Sequence, residues 1–210
     1  SGGHRVAMSE EAGYGTGPVT LATKITLFRM LLIPVFIGTA MYYADSVAQG
    51  QRNETLRWMT VAVFGLAALS DAIDGYVARK MNQRSRLGAI LDPLADKLLL
   101  VSAILTLTFT TWPQRFPIWF PLLIISRDLA VMGGAFLIEH FVGPCRIAPH
   151  WTGKMATFTQ IFAVLWIMLD VRFPDILWPT CLAAAFSAFS GFYYMAGGIR
   201  QLHHGSNDPV

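Results

Sequence analysis

The sequence predicts an all-α integral membrane protein with six transmembrane helices and a short N-terminal interfacial helix. Three observations predict it. Of the 210 residues, 54% are hydrophobic and only 14% charged, where a soluble domain carries about 25% charged residues. Mean hydropathy is +0.47. Six apolar segments, each near the length of about 20 residues that a span needs, follow one another with no low-complexity tract or soluble domain between them. Residues 1–20 read as a polar, flexible N-terminus, 21–200 as one membrane domain, and 201–210 as a polar C-terminal tail.

The N-terminal stretch is polar and Gly-rich, with no basic-then-apolar-then-small signal peptide. Ser1-Gly2-Gly3 reads as a cloning scar, and the following residues as an interfacial helix. The spans are expected at about 21–44, 56–78, 89–109, 117–141, 151–169 and 176–199, with Pro34 and Pro121 kinking the first and fourth. Arg79, Lys80, Arg84 and Arg86 crowd the second linker. Lys24, Arg29, Arg146, Lys154 and Arg200 fall on the same side, and by the positive-inside rule that side is cytoplasmic, with both termini. Trp112, Trp119 and Trp178 mark the opposite boundary, with Trp58 and Trp151 as further belt residues. Gly133-Gly134 and Gly197-Gly198 predict close helix packing, and the methionines gap-filling. A net charge of +3 is too mild for nucleic-acid binding and suits a membrane surface. Cys145 and Cys181 have no metal spacing, and a disulfide is not expected. His203-His204 is assigned to an unstructured tail.

The chemistry concentrates between Asp71 and Asp96, in DAIDGYVARKMNQRSRLGAILDPLAD. Each carboxylate at membrane depth costs roughly 2.5–3.5 kcal/mol on insertion scales. Asp71 and Asp74 are spaced i, i+3 and Asp92 and Asp96 i, i+4, so on helices each pair shares a face about 5–6 Å apart. Such pairs repel unless neutralised, and two dications would neutralise all four. Oxygen-only ligands favour Mg2+, Mn2+ or Ca2+ over zinc. Two such ions are a known clamp for displacement at phosphorus. Gly75 permits close approach, Gly88 interrupts the linker, and Arg79 supplies a cation for phosphate.

Three further polar groups stand out. Thr26 and Arg29 share a face, either as an anchor snorkelling to headgroups or as a phosphate contact. Arg127-Asp128 inside the fourth span is either a structural ion pair or a phosphate site. Arg146 lies in an irregular segment between Pro144 and Pro149, ahead of Lys154, Thr157 and Gln160. The last three repeat every three residues on one helix face, and together with Arg146 they read as a substrate edge.

The pattern Asp-x2-Asp-Gly-x2-Ala-Arg-x8-Gly-x3-Asp-x3-Asp is filled by Asp71, Asp74, Gly75, Ala78, Arg79, Gly88, Asp92 and Asp96. It resembles the signature of the CDP-alcohol phosphotransferases, and six spans with the signature across the second and third match that family along most of the chain. The resemblance implies displacement of CMP from a CDP-linked lipid by an alcohol. It implies Asp71, Asp74, Asp92 and Asp96 as ligands of two divalent cations, Mg2+ or Mn2+, and Asp96 as the general base. Asp71, Gly75, Ala78, Arg79 and Gly88 would form the CDP pocket. The implied setting is a homodimer in the bacterial inner membrane, with the site facing the cytoplasm.

Within the family, Thr26-x2-Arg29 and the run Leu91 to Lys97 look like the branch of phosphatidylglycerophosphate and CMP-forming cardiolipin synthases. Enzymes for glycerol 3-phosphate often carry Asn where Thr23 stands, and Arg-Glu with a second Arg in span four where this chain has Arg127-Asp128 and no second Arg. Those departures, with Arg146-x2-Pro149-x4-Lys154-x2-Thr157-x2-Gln160, resemble cardiolipin synthase. The expected substrates are therefore CDP-diacylglycerol and phosphatidylglycerol, with glycerol 3-phosphate as the alternative acceptor. Thr26, Arg29, Arg127, Arg146 and Lys154 are the acceptor and lipid-phosphate candidates. An intramembrane cation or proton transporter, the reading from another class, would leave Arg79 and Gly88 unexplained.

Overall fold

The computed structural model describes the backbone of residues 21–81, 86–141, 151–173 and 175–205, and the side chains of 25–70, 95, 97–134, 151–173 and 175–196. All regular structure in these residues is helical: α1 (Leu21–Ala48), α2 (Glu54–Met81), α3 (Arg86–Phe109), α4 (Trp119–Phe141), α5 (Trp151–Met168) and α6 (Leu177–Gly205). Each expected segment is a helix, with ends moved by a few residues. The interfacial helix expected within residues 1–20 lies outside the described residues.

Local chemistry explains the ends. Past α1, Gly50 takes φ 75°, the left-handed conformation that glycine adopts without a Cβ clash. Asn53 caps α2: its Oδ1 accepts the Leu56 N–H at 3.3 Å, satisfying one of the free first-turn donors. After α5, Asp170 holds φ 52°, which short polar side chains tolerate best among non-glycine residues.

The core runs along α3. Leu99, Leu100, Ala103, Ile104 and Leu107 are buried there, against Phe36 and Ala40 of α1, Phe64 of α2, Phe120 and Ile124 of α4, and Ala163, Val164 and Ile167 of α5. α3 contacts α1, α2, α4 and α5, while α6 packs on α4 and α5. The outside of the bundle is apolar: Leu31 on α1, Leu122 and Leu129 on α4, and Phe189 and Phe192 on α6 are exposed. Large contiguous apolar surface marks a membrane or partner contact. Among the described residues, Ile25–Ala48 is long and apolar enough to cross a membrane, and Lys97–Phe109 forms a shorter apolar helix.

Several expectations change. Trp112 is a core residue rather than a belt residue: it is buried and its ring packs 4.6 Å from that of Tyr43. Trp58, Trp119, Trp151 and Trp178 are exposed, as belt residues are. Among the described residues, a Cβ at Gly133 or Gly134 would meet nothing within 4 Å, so neither glycine packs closely against a described neighbour; Gly197 and Gly198 lie outside the described side chains. Pro34 lies inside α1, but Pro121 falls in the first turn of α4, where its missing N–H forfeits no helical hydrogen bond and no kink is needed. Gly88 lies within α3 rather than in a linker. α6 continues to Gly205, so His203 and His204 are helical. Cys181 is a free, exposed thiol, and Cys145 lies outside the described residues.

Candidate active site

The two carboxylate pairs are each carried by one uninterrupted helix. Asp71, Asp74, Gly75, Ala78 and Arg79 fall in α2; Gly88, Asp92 and Asp96 fall in α3. Their side chains lie outside those described. Consecutive residues three or four apart are neighbours on a helix, so the backbone meets the spacing condition for both pairs. Four carboxylates offer a purely oxygen donor set, which fits hard dications such as Mg2+ or Mn2+. Elsewhere, among the described residues, no three His, Cys, Asp or Glu side chains group together.

α1 lies against both signature helices. On it, Thr26 and Arg29 are both fully buried, at 0% exposure, and neither lacks a partner. That excludes the snorkelling anchor, whose head group stays wet. A guanidinium so placed is a deliberate interior charge, because burying an ion costs several kcal/mol unless it is compensated.

Arg127 and Asp128 form the centre of a polar cluster between α3, α4 and α6. Arg127 Nη1 donates to Asp128 Oδ1 at 2.7 Å and Nη2 donates to Ser190 Oγ at 2.5 Å. Lys97 Nζ donates to the other oxygen, Asp128 Oδ2, at 2.8 Å. The Arg127 guanidinium lies 5.9 Å from the centre of the Tyr194 ring, within cation–π range. Its Cγ would sit only 2.9 Å from a Cβ at Gly191, so the glycine is what lets the arginine lie across α6. Of the two possibilities for Arg127-Asp128, the structural ion pair is present: it lies within α4, Lys97 joins it from α3, and both terminal nitrogens of Arg127 are engaged while its buried Nε has no hydrogen-bond partner among the described residues.

The face proposed at the start of α5 divides. Lys154 is exposed. Thr157 Oγ1 donates back to the Gly153 carbonyl at 3.3 Å. Gln160 is buried and its Nε2 donates to Ser187 Oγ at 2.8 Å, so it joins α5 to α6 instead of edging a substrate. Arg146 lies outside the described residues. Ser187, Ser190, Gly191 and Tyr194 carry no mark in the sequence, and Lys97 enters there only as the end of the run Leu91 to Lys97, with no role of its own. The signal for Lys97 was available: a lone cation at the head of the apolar run Leu98 to Thr108, one residue after Asp96.

With this geometry in place, comparison with known proteins gives a consistent result. The family model for CDP-alcohol phosphatidyltransferase matches residues 19–192. The chain is 34% identical over 185 residues to a CDP-diacylglycerol–glycerol-3-phosphate 3-phosphatidyltransferase of Bacillus subtilis, covering 84% of this chain and 93% of that protein. It is 32% identical over 190 residues to a probable phosphatidylglycerophosphate synthase of Mycobacterium tuberculosis, covering 86% and 85%. It is also 32% identical over 203 residues to a CMP-forming cardiolipin synthase of Streptomyces coelicolor, covering 93% and 87%. Divalent-metal dependence is general in the family. The chain belongs to the CDP-alcohol phosphatidyltransferases, and it is an enzyme of that class.

Proposed function

We propose that the protein transfers the phosphatidyl group of CDP-diacylglycerol to phosphatidylglycerol, giving cardiolipin and CMP. It would do so as a six-span protein of the bacterial inner membrane with both termini and the site on the cytoplasmic side. The apolar exterior of α1, α4 and α6 supports the membrane setting, and a homodimer is the expected assembly.

In this mechanism Asp71, Asp74, Asp92 and Asp96 hold two divalent cations, Mg2+ or Mn2+. When bound, these ions polarise the phosphoryl oxygens and offset charge on the departing CMP. Asp71, Gly75, Ala78, Arg79 and Gly88 form the CDP pocket, where the small residues admit the nucleotide and Arg79 meets the diphosphate. Asp96 takes the proton of the acceptor hydroxyl as its oxygen bonds to the phosphatidyl phosphorus and the bond to CMP breaks. Thr26 and Arg29 line the α1 side, and Arg146 and Lys154 the cytoplasmic approach to the acceptor phosphate.

The observation that carries the choice of acceptor is that both terminal nitrogens of Arg127 are engaged, by Asp128 and Ser190. A dianionic small phosphate calls for free bidentate cations, whereas phosphatidylglycerol brings a single diester charge. Transfer to glycerol 3-phosphate is the second reading, favoured by the names of the B. subtilis and M. tuberculosis relatives.

CMP release from CDP-diacylglycerol, with each acceptor offered separately to the purified protein in Mg2+ or Mn2+, decides between them. Phosphatidylglycerol should be used at least about tenfold better, with cardiolipin detected as product, and Asp96→Asn should lose about 10²–10⁴-fold in rate. Preference for glycerol 3-phosphate overturns the acceptor; equal CMP release by Asp96→Asn overturns the base.

A further inference from the structure

Lys97 directly follows Asp96 on α3, the central helix. A lysine ammonium is a mobile point charge on a flexible stem. Its stem is long enough to swing toward the carboxylate of Asp96, the preceding residue, and there it would contend with a divalent cation for the same oxygens. The structure shows it committed elsewhere: Nζ lies 2.8 Å from Asp128 Oδ2 on α4. Asp128 is buried and cannot follow the lysine, because its other oxygen is taken by Arg127 at 2.7 Å. Arg127 is in turn fixed by Ser190 and by its seat over Gly191.

We propose that Asp128 is a positioning residue for the cation site: anchored by Arg127, it holds the Lys97 ammonium on α4 and so leaves the neighbouring Asp96 carboxylate to a divalent cation. The inference rests on the assignment of the four signature carboxylates as cation ligands made under Proposed function. It differs from simple packing of α3 on α4, because in simple packing the identity of Lys97 as a competitor would not matter.

Direct Mn2+ binding tests it, read on the full-length protein in nanodiscs from the loss of the free-ion paramagnetic resonance signal. Asp128→Asn should weaken Mn2+ binding about 10–100-fold, the range seen when partners of metal ligands are removed. Lys97→Met should bind at least as tightly as wild type. The double variant Lys97→Met/Asp128→Asn should return to within about twofold of Lys97→Met, the non-additivity expected of coupled residues. The proposal is overturned by an unchanged affinity in Asp128→Asn, by a double variant as weak as Asp128→Asn, or by wild type that binds no Mn2+ at millimolar concentration. If Asp128→Asn does not fold, Lys97→Met and Asp128→Glu decide: both should match or exceed wild-type affinity, and weaker binding by either overturns it. Wild type that shows this pattern of Mn2+ binding yet releases no CMP from CDP-diacylglycerol would leave the positioning role standing and refute phosphatidyl transfer.

Discussion

Among the described residues, two aspartates are each flanked by two cations, and they do different work. Asp128 lies inside the bundle, with Lys97 and Arg127 at 2.8 and 2.7 Å. Asp170 lies in the connection between α5 and α6, with Arg52 and Arg172 at 3.5 and 3.3 Å. The carboxylates are similarly shielded, at 11% and 13% side-chain exposure, but their partners differ: Arg127 and Lys97 are 12% and 31% exposed, Arg52 and Arg172 46% and 70%. A pair is only as strong as the water around its more exposed member allows. The bundle cluster also joins three helices with one net positive charge, from two cations and one carboxylate. The connector cluster ties loop ends at the margin of the fold.

The sharpest way to break the comparison is to remove each carboxylate's role in turn. Asp128→Leu would leave the largely buried Arg127 and the partly exposed Lys97 facing each other with no anion between them. It should cost about 3–5 kcal/mol, the penalty for breaking a buried pair from one side, read as a fall in the thermal unfolding midpoint in detergent. Lys97→Met should cost far less, because the Arg127–Asp128 pair that remains is neutral. If the two variants unfold at similar temperatures, Asp128 is not the hub of the cluster.

A smaller effect tests the seat of Arg127. Gly191→Ala places a Cβ 2.9 Å from Arg127 Cγ, near the root of the side chain, where a rotamer change cannot relieve it cheaply. Overpacking of this kind costs about 1–3 kcal/mol. Gly133→Ala, whose new methyl meets open space, is the control on α4 and should unfold at or above the wild-type temperature. A stable Gly191→Ala protein would mean that the bundle cluster is as loosely seated as the connector.

The contrast also explains what the sequence discloses. The six helices are legible because each is a long, largely apolar run bounded by polar segments, and the signature because paired carboxylates in apolar runs have so few explanations. Arg127-Asp128 is conspicuous for the same reason, yet its partners are not. Ser190 and Gly191 come from a helix more than sixty residues away in sequence, and small residues in an apolar helix carry no address. Gln160 misleads because a three-residue repeat with Lys154 and Thr157 defines a face but not what it faces; that face meets Ser187 at its inner end and is exposed at Lys154. Trp112 misleads because belt and core tryptophans have the same flanking sequence. Only the packing against Tyr43 tells them apart.

The weakest prediction bears on the connector. Arg172→Ala removes one of two cations from Asp170, but Arg172 is mostly solvated and its contact of 3.3 Å is long for a charge-assisted bond. Arg52 remains at 3.5 Å. The loop is also held by Gln114, whose Nε2 donates to the Val171 carbonyl at 2.9 Å, a bond that does not depend on charge. The change in stability should therefore stay within about 0.5 kcal/mol, as for exposed pairs generally, and raising the salt concentration should shrink it further. A loss comparable to that of Asp128→Leu would show that solvent exposure does not separate the two clusters, and that Asp170, held at φ 52°, depends on its cations to keep that backbone turn.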